Sequence, residues 1–131
     1  MQGLHLTADL SRCQCDMALL LQAPLLSARV REQTLASGLT IVGELWHTFP
    51  EREQPGGGVT GVLLLAESHV AVHTWPELSC VTLDVYVCNL GADNSAKAQT
   101  LLKGLETLFQ ATQIQRGRLD RAGGLGENPN P

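Results

Sequence analysis

Basic residues are scarce in this chain, with nine Lys+Arg against thirteen Asp+Glu in 131 residues and a formal net charge of −4. The nine are scattered and form no continuous basic track, so a site for the phosphates of nucleic acid is hard to build and no nucleic acid partner is expected. Only two of them, Lys97 and Lys103, are lysines, and both fall in a segment of helical periodicity away from the polar centre of the chain. A pyridoxal phosphate enzyme, which needs a lysine at its centre, is therefore disfavoured. Long apolar runs are also lacking. The longest, MALLLQAPLL at 17–26, is interrupted by Gln22 and Pro24 and falls short of the ~20 residues of a spanning helix, so no membrane association is expected. The N-terminal MQGLHLTADLSRC has no basic flank followed by an apolar stretch, unlike a secretory signal, which points to a cytoplasmic location. There, the four cysteines are expected as reduced thiols. Aromatic residues make up only 4% of the chain, so each one stands out.

What the chain does have is apolar material, 44% of its residues, enough for the core of one compact domain. Leu4, Leu6, Ala8 and Leu10 alternate with His5, Thr7 and Asp9 as in a half-buried strand. Pro24 suits the first turn of a helix and Gly38 its end. Leu39–Trp46 reads as a second strand, and PEREQPGGG at 50–58 breaks regularity as a mobile loop. Val59–Ala66, Val70–Thr74 and Val81–Val87 read as three more strands, with TWPELS as the turn between the last two. Asp93 or Asn94 can cap a second helix whose stripe runs through Ala98, Leu101, Leu102, Leu105, Leu108, Phe109 and Thr112. A short strand around Ile114 follows. The pattern predicts an α+β fold, a two-layer sandwich of a mostly antiparallel sheet with two helices on one face. One domain spans 1–121, with a flexible tail at 122–131. The second face of the sheet then needs a cover, and another copy of the chain is the natural one.

Chemistry concentrates in ESHVAVHTWPE, residues 67–77, where two carboxylates, two hydroxyls, two imidazoles and an indole lie within eleven residues. On a helix, His69 and His73 would converge; on a strand they stand about 13 Å apart and cannot share an ion, so no metal is expected. Cys13 and Cys15 lack obvious co-ligands. Taken singly, the histidines read as ordinary strand residues and Cys88 as a small core residue.

Taken together, ESHVAVHTWPE and the Cys88 that closes LDVYVC resemble the processing and catalytic segment of the bacterial S-adenosylmethionine decarboxylases. The resemblance runs from GLHLTADL at 3–10, through SGLTIVGELWHTF at 37–49, to RGRLD at 116–120. It implies a proenzyme that cuts itself between Glu67 and Ser68, giving fragments 1–67 and 68–131. Ser68 would become a covalent pyruvoyl group serving as cofactor, with neither metal nor pyridoxal phosphate. The resemblance assigns His73 to processing, Cys88 to protonation of the product, and Phe49, Trp75 and Glu77 to the substrate's adenosine portion. It further implies a homodimer or higher homo-oligomer with shared active sites, acting on a small-molecule substrate for polyamine (spermidine) biosynthesis.

The residue chemistry is compatible with these roles. A serine hydroxyl can attack the preceding carbonyl to give an ester, whose elimination and hydrolysis leave a ketone. Such a ketone can form a Schiff base with a substrate amine and accept the electrons released when carbon dioxide departs. A thiol can then supply a proton. If the turn between the two strands centres near Glu77 and Leu78, opposed residue numbers sum to about 155, placing Ser68 beside Cys88 at roughly 5 Å between α-carbons. His73 lies about 16 Å along the same strand from Ser68, so to act on it His73 must come from another subunit.

Several positions depart from the family pattern. Leu78, Ser79 and Cys80 stand where Tyr-Gly-Tyr is usual, and Thr60 stands where a serine assists processing. The 50–58 loop is longer than usual. The altered rim leaves open a decarboxylase of the same fold acting on a basic amino acid, ornithine or arginine. An unprocessed binding or regulatory homologue is a third reading.

Overall fold

The computed structural model describes residues 1–51 and 57–123. Most of the expected loop at 50–58 and nearly all of the expected tail lie outside the described residues. The elements run β1 (Gly3–Cys13), α1 (Ala18–Leu21), α2 (Ala23–Ala36), β2 (Ile41–Thr48), β3 (Val59–Leu65), β4 (Ser68–Trp75), β5 (Cys80–Cys88), α3 (Ser95–Leu108) and β6 (Ala111–Arg121). The strands form one six-stranded sheet in the order β2-β3-β4-β5-β1-β6, with every neighbouring pair antiparallel.

Strand alternation sets the two faces. In β5, Val81, Leu83, Val85 and Val87 are buried, while Thr82, Asp84, Tyr86 and Cys88 between them point the other way. The buried positions of β1, β3, β4 and β5 meet Leu20, Leu26 and Val30 from α1 and α2 and Leu101, Leu105 and Phe109 from α3 in one core. Each large apolar side chain fully buried there contributes about 1.5–3 kcal/mol. The helices all lie on this face, giving the α+β two-layer sandwich that the pattern predicted. Among the described residues the opposite face carries no helix. Leu45, Leu64 and Leu119 stand exposed on it, at 73%, 51% and 55%.

A buried hydroxyl ties the layers together. Thr74 Oγ1 donates to the Leu20 carbonyl at 2.8 Å and accepts from the Val59 amide at 2.8 Å, joining α1, β3 and β4. At Gly61 the Trp46 indole lies across the strand so closely that a Cβ would sit 1.9 Å from the ring.

Several expectations are corrected. The first strand is longer than Leu4–Leu10, and β2 is shifted two residues later than Leu39–Trp46, with a bulge near Gly43. Part of MALLLQAPLL forms the one-turn α1, a third helix beside the two expected. The second helix ends at Leu108, so Thr112 belongs to β6 and its hydroxyl donates to the Arg12 carbonyl at 3.0 Å. The short strand expected near Ile114 is eleven residues long. Its pairing to β1 is a backbone interaction that side-chain pattern does not encode. On its helix side stand charged residues, among them Arg116, which grips the buried Glu106 with two hydrogen bonds of 2.8 and 2.9 Å.

Candidate active site

The turn that carries Glu67 and Ser68 joins β3 to β4 at one end of the sheet. Ser68 has φ 151°, a conformation that residues other than glycine rarely adopt, so the peptide link to Glu67 lies beside a strained residue. The Glu67 carbonyl accepts a 2.7 Å hydrogen bond from the Cys88 amide. The Glu67 carboxylate accepts from the Thr40 amide at 3.0 Å. Both ends of Glu67 are thus fixed by backbone donors.

Cys88 is fixed in turn. Its carbonyl accepts from Asn94 Nδ2 at 2.9 Å, and the Asn94 amide donates to Asn89 Oδ1 at 2.8 Å. Asn94, which the sequence suggested only as a helix cap, makes no side-chain cap and instead anchors the end of β5. The neighbouring Asp93 accepts from the Ser95 amide, and that hydrogen bond holds the Asp93 carboxyl below the usual carboxylate range. No property of residue type announces Thr40 or Asn94 as site residues, because what they contribute depends on the turn geometry.

The register refines the expected pairing. Residues 75 and 80 face one another across a 3-10 turn at Pro76–Leu78, with Ser79 in the left-handed region at φ 50°. Ser68 is therefore opposite Val87, not Cys88. Cys88 lies one step on, bonded to Glu67 and opposite Gly3 of β1. Cys88 therefore meets the Glu67 carbonyl more directly than it meets the serine.

Four other residues singled out in the sequence gather at the opposite end of β4. Phe49, Thr60, His73 and Trp75 line a pocket of about 270 Å³ with the backbone of Gly57 and Gly58. Thr60 is opposite His73, and its Oγ1 is 3.1 Å from His73 Nδ1. The His47 ring meets the Phe49 ring edge-on at 4.7 Å. A Cβ at Gly57 would lie 1.9 Å from the Phe49 carbonyl, and one at Gly58 2.2 Å from the Thr74 carbonyl, so only glycine lets the hairpin close here. Glu77 is exposed on the adjoining 3-10 turn and does not line the pocket.

Within one chain, then, the two groups are separated by the length of β4. Glu67, Ser68 and Cys88 form one half, and Phe49, Thr60, His73 and Trp75 the other. His69 and His73 are likewise separated, paired opposite Tyr86 and Thr82 respectively. Among the described residues no group of three His, Cys, Asp or Glu could hold a metal ion.

A family model described as S-adenosylmethionine decarboxylase matches residues 4–122. The chain belongs to that family. It is 30% identical over 129 residues to the S-adenosylmethionine decarboxylase proenzyme of Thermotoga maritima, covering 98% of this chain and 94% of the relative. The proenzyme of Acetivibrio thermocellus is 35% identical over 116 residues, 88% of each chain. The proenzyme of Archaeoglobus fulgidus is 31% identical over 119 residues, 91% of this chain and 96% of the relative. The crystal structure of the Aquifex aeolicus adenosylmethionine decarboxylase superposes with a TM-score of 0.78 at 31% identity, covering 92% of this chain and 90% of that one. The family therefore agrees with the resemblance read from residues 3–120, over nearly the same span of the chain.

Proposed function

We propose that the chain is the proenzyme of a pyruvoyl-dependent carboxy-lyase that converts S-adenosylmethionine to its decarboxylated form and carbon dioxide for spermidine biosynthesis. It cleaves itself into 1–67 and 68–131. The observation that carries this reading is the Glu67–Ser68 link, with its carbonyl on the Cys88 amide at 2.7 Å and Ser68 strained at φ 151°.

In processing, Ser68 Oγ attacks the Glu67 carbonyl carbon, the amide gives way to an ester, and the freed nitrogen keeps the hydroxyl proton. Negative charge developing on the carbonyl oxygen is stabilised by the Cys88 N–H, which already points at it. Loss of the Ser68 Cα proton then expels the Glu67 carboxylate, and hydrolysis releases ammonia and leaves a ketone on the new N-terminus. His73, with Thr60 Oγ1 beside it, assists from a partner copy, since its own Ser68 is about 16 Å away along β4. The strain at Ser68 and the backbone grip on Glu67 fit a residue that is to be converted in place.

The pyruvoyl carbonyl supplies the electron sink that pyridoxal supplies in other decarboxylases. The chain's own side chains do the rest. Cys88 gives its proton to the substrate carbon that has lost carbon dioxide. Phe49 and Trp75, both partly exposed at the pocket, offer flat faces to adenine, and an aromatic face favours the nearby sulfonium by roughly 0.5–2 kcal/mol. Glu77 accepts from ribose hydroxyls. Two copies packed through the helix-free face, with Leu45, Leu64 and Leu119 between them, unite the two half-sites. The free thiols Cys13, Cys15, Cys80 and Cys88 suit a cytoplasmic protein.

The test is intact mass followed by carbon dioxide release. Purified protein is expected as two fragments ending at Glu67 and starting at a blocked residue 68, turning over S-adenosylmethionine. A single uncleaved 14.1 kDa species after long incubation would sink the reading. Turnover of ornithine or arginine with none of S-adenosylmethionine would overturn the substrate and spare the mechanism.

A further inference from the structure

The helix-free face carries a cluster that the proposed chemistry does not use. His5 on β1 and Asp84 on β5 are joined by a 3.0 Å contact between Nε2 and Oδ1. The Tyr86 ring lies 5.6 Å from the His5 ring and 5.7 Å from the His69 ring, and the two imidazoles are 6.4 Å apart edge to face. Arg121 of β6 stands over Tyr86 at 5.1 Å.

The register places this cluster next to Cys88. Gly3 is opposite Cys88 and His5 is opposite Tyr86, so His5 and Cys88 are diagonal neighbours on adjoining strands, about 7–8 Å apart between α-carbons and within side-chain reach. Gly3 puts no side chain between them. A Cβ there would lie 2.8 Å from the Val87 carbonyl and 3.1 Å from the Tyr86 ring, so the gap is kept by necessity.

We propose that the His5–Asp84 pair returns the proton that Cys88 spends in each turnover; this rests on the reading of Cys88 given above. When the thiol protonates the substrate carbon, an S–H bond is exchanged for a C–H bond and a thiolate is left. That thiolate must regain a proton before the next turnover. Asp84 occupies Nε2 of His5, which leaves Nδ1 as the nitrogen that loads and unloads. The His5 N–H proton passes to Cys88, restoring the S–H bond, and neutral His5 takes a new proton from solvent water. The other titratable or charged groups of this cluster are His69 on β4, Tyr86 on β5 and Arg121 on β6, which stands over Tyr86. Among the described residues, Asp84 alone makes a hydrogen-bond contact with the His5 ring.

The test uses the processed full-length enzyme with His5→Gln and, should that variant fold poorly, Asp84→Asn. Cleavage is expected in both. The steady-state rate should fall by about tenfold or more, while the first turnover, whose proton is already on Cys88, falls far less. Added imidazole should restore part of the steady-state rate. An unchanged burst and an unchanged steady state would overturn the relay while leaving the decarboxylase reading intact. Absence of cleavage or of any turnover in the unmutated chain would instead count against that reading.

Discussion

The Cys88 amide and the Glu67 carbonyl are bonded at 2.7 Å across the end of β4 and β5. One residue thus serves twice in the proposed cycle, its backbone in cleavage and its thiol in decarboxylation. The two roles separate by mutation. Cys88→Ala keeps the amide and is expected to cleave normally, yet to release carbon dioxide slowly. With protonation misdirected, its 68–131 fragment should turn from a pyruvoyl to an alanyl N-terminus during turnover, visible by mass. Cys88→Pro removes the N–H and should slow cleavage by about 100-fold, the loss typical of one oxyanion donor. Normal cleavage in the proline variant would remove the amide from the mechanism.

His73 is held at Thr60, far along β4 from Ser68 of its own chain. Mixing a Ser68→Ala chain with a His73→Ala chain under exchange conditions should restore cleavage of the latter, which keeps its serine and borrows the partner's imidazole. No recovery in proven mixed dimers would show that the imidazole is not supplied across subunits.

Gly61 exists for Trp46. Gly61→Ala puts a methyl 1.9 Å from the indole and is expected to cost ~1–3 kcal/mol, read as a lower urea midpoint with unchanged slope. An unaltered midpoint would mean that the indole swings clear at no cost.

Burial, with smaller contributions from Cys15 and Cys80, pushes the Cys13 thiol from 9.0 to about 11. The folded state therefore holds this proton more tightly than the unfolded chain. The resulting stability is complete below pH 9 and lost as pH rises towards 11, by up to about 2 kcal/mol. Cys13→Ala should flatten alkaline unfolding curves in that window, and an identical pH slope in the variant would refute the assignment.

Local pattern was enough for much of the sheet and the motif. The alternation of Val81, Leu83, Val85 and Val87 against Thr82, Asp84 and Tyr86 dictates a two-faced strand, because successive side chains must point to opposite sides. The stripe through Leu101, Leu102 and Leu105 likewise dictates a helix lying on a core. The density of functional groups from Glu67 to Glu77, with Cys88 beyond, marked the chemistry without coordinates. Tertiary structure alone decided the rest. Strand β6 pairs through backbone groups and presents charges on its helix side, so residue type concealed its length. An odd register sum set Cys88 against Glu67, a one-residue difference that propensity cannot resolve because it depends on how the Pro76–Leu78 turn closes. The Thr40–Glu67 and His5–Asp84 contacts join residues far apart in the chain, where only the packed sheet brings donor and acceptor together.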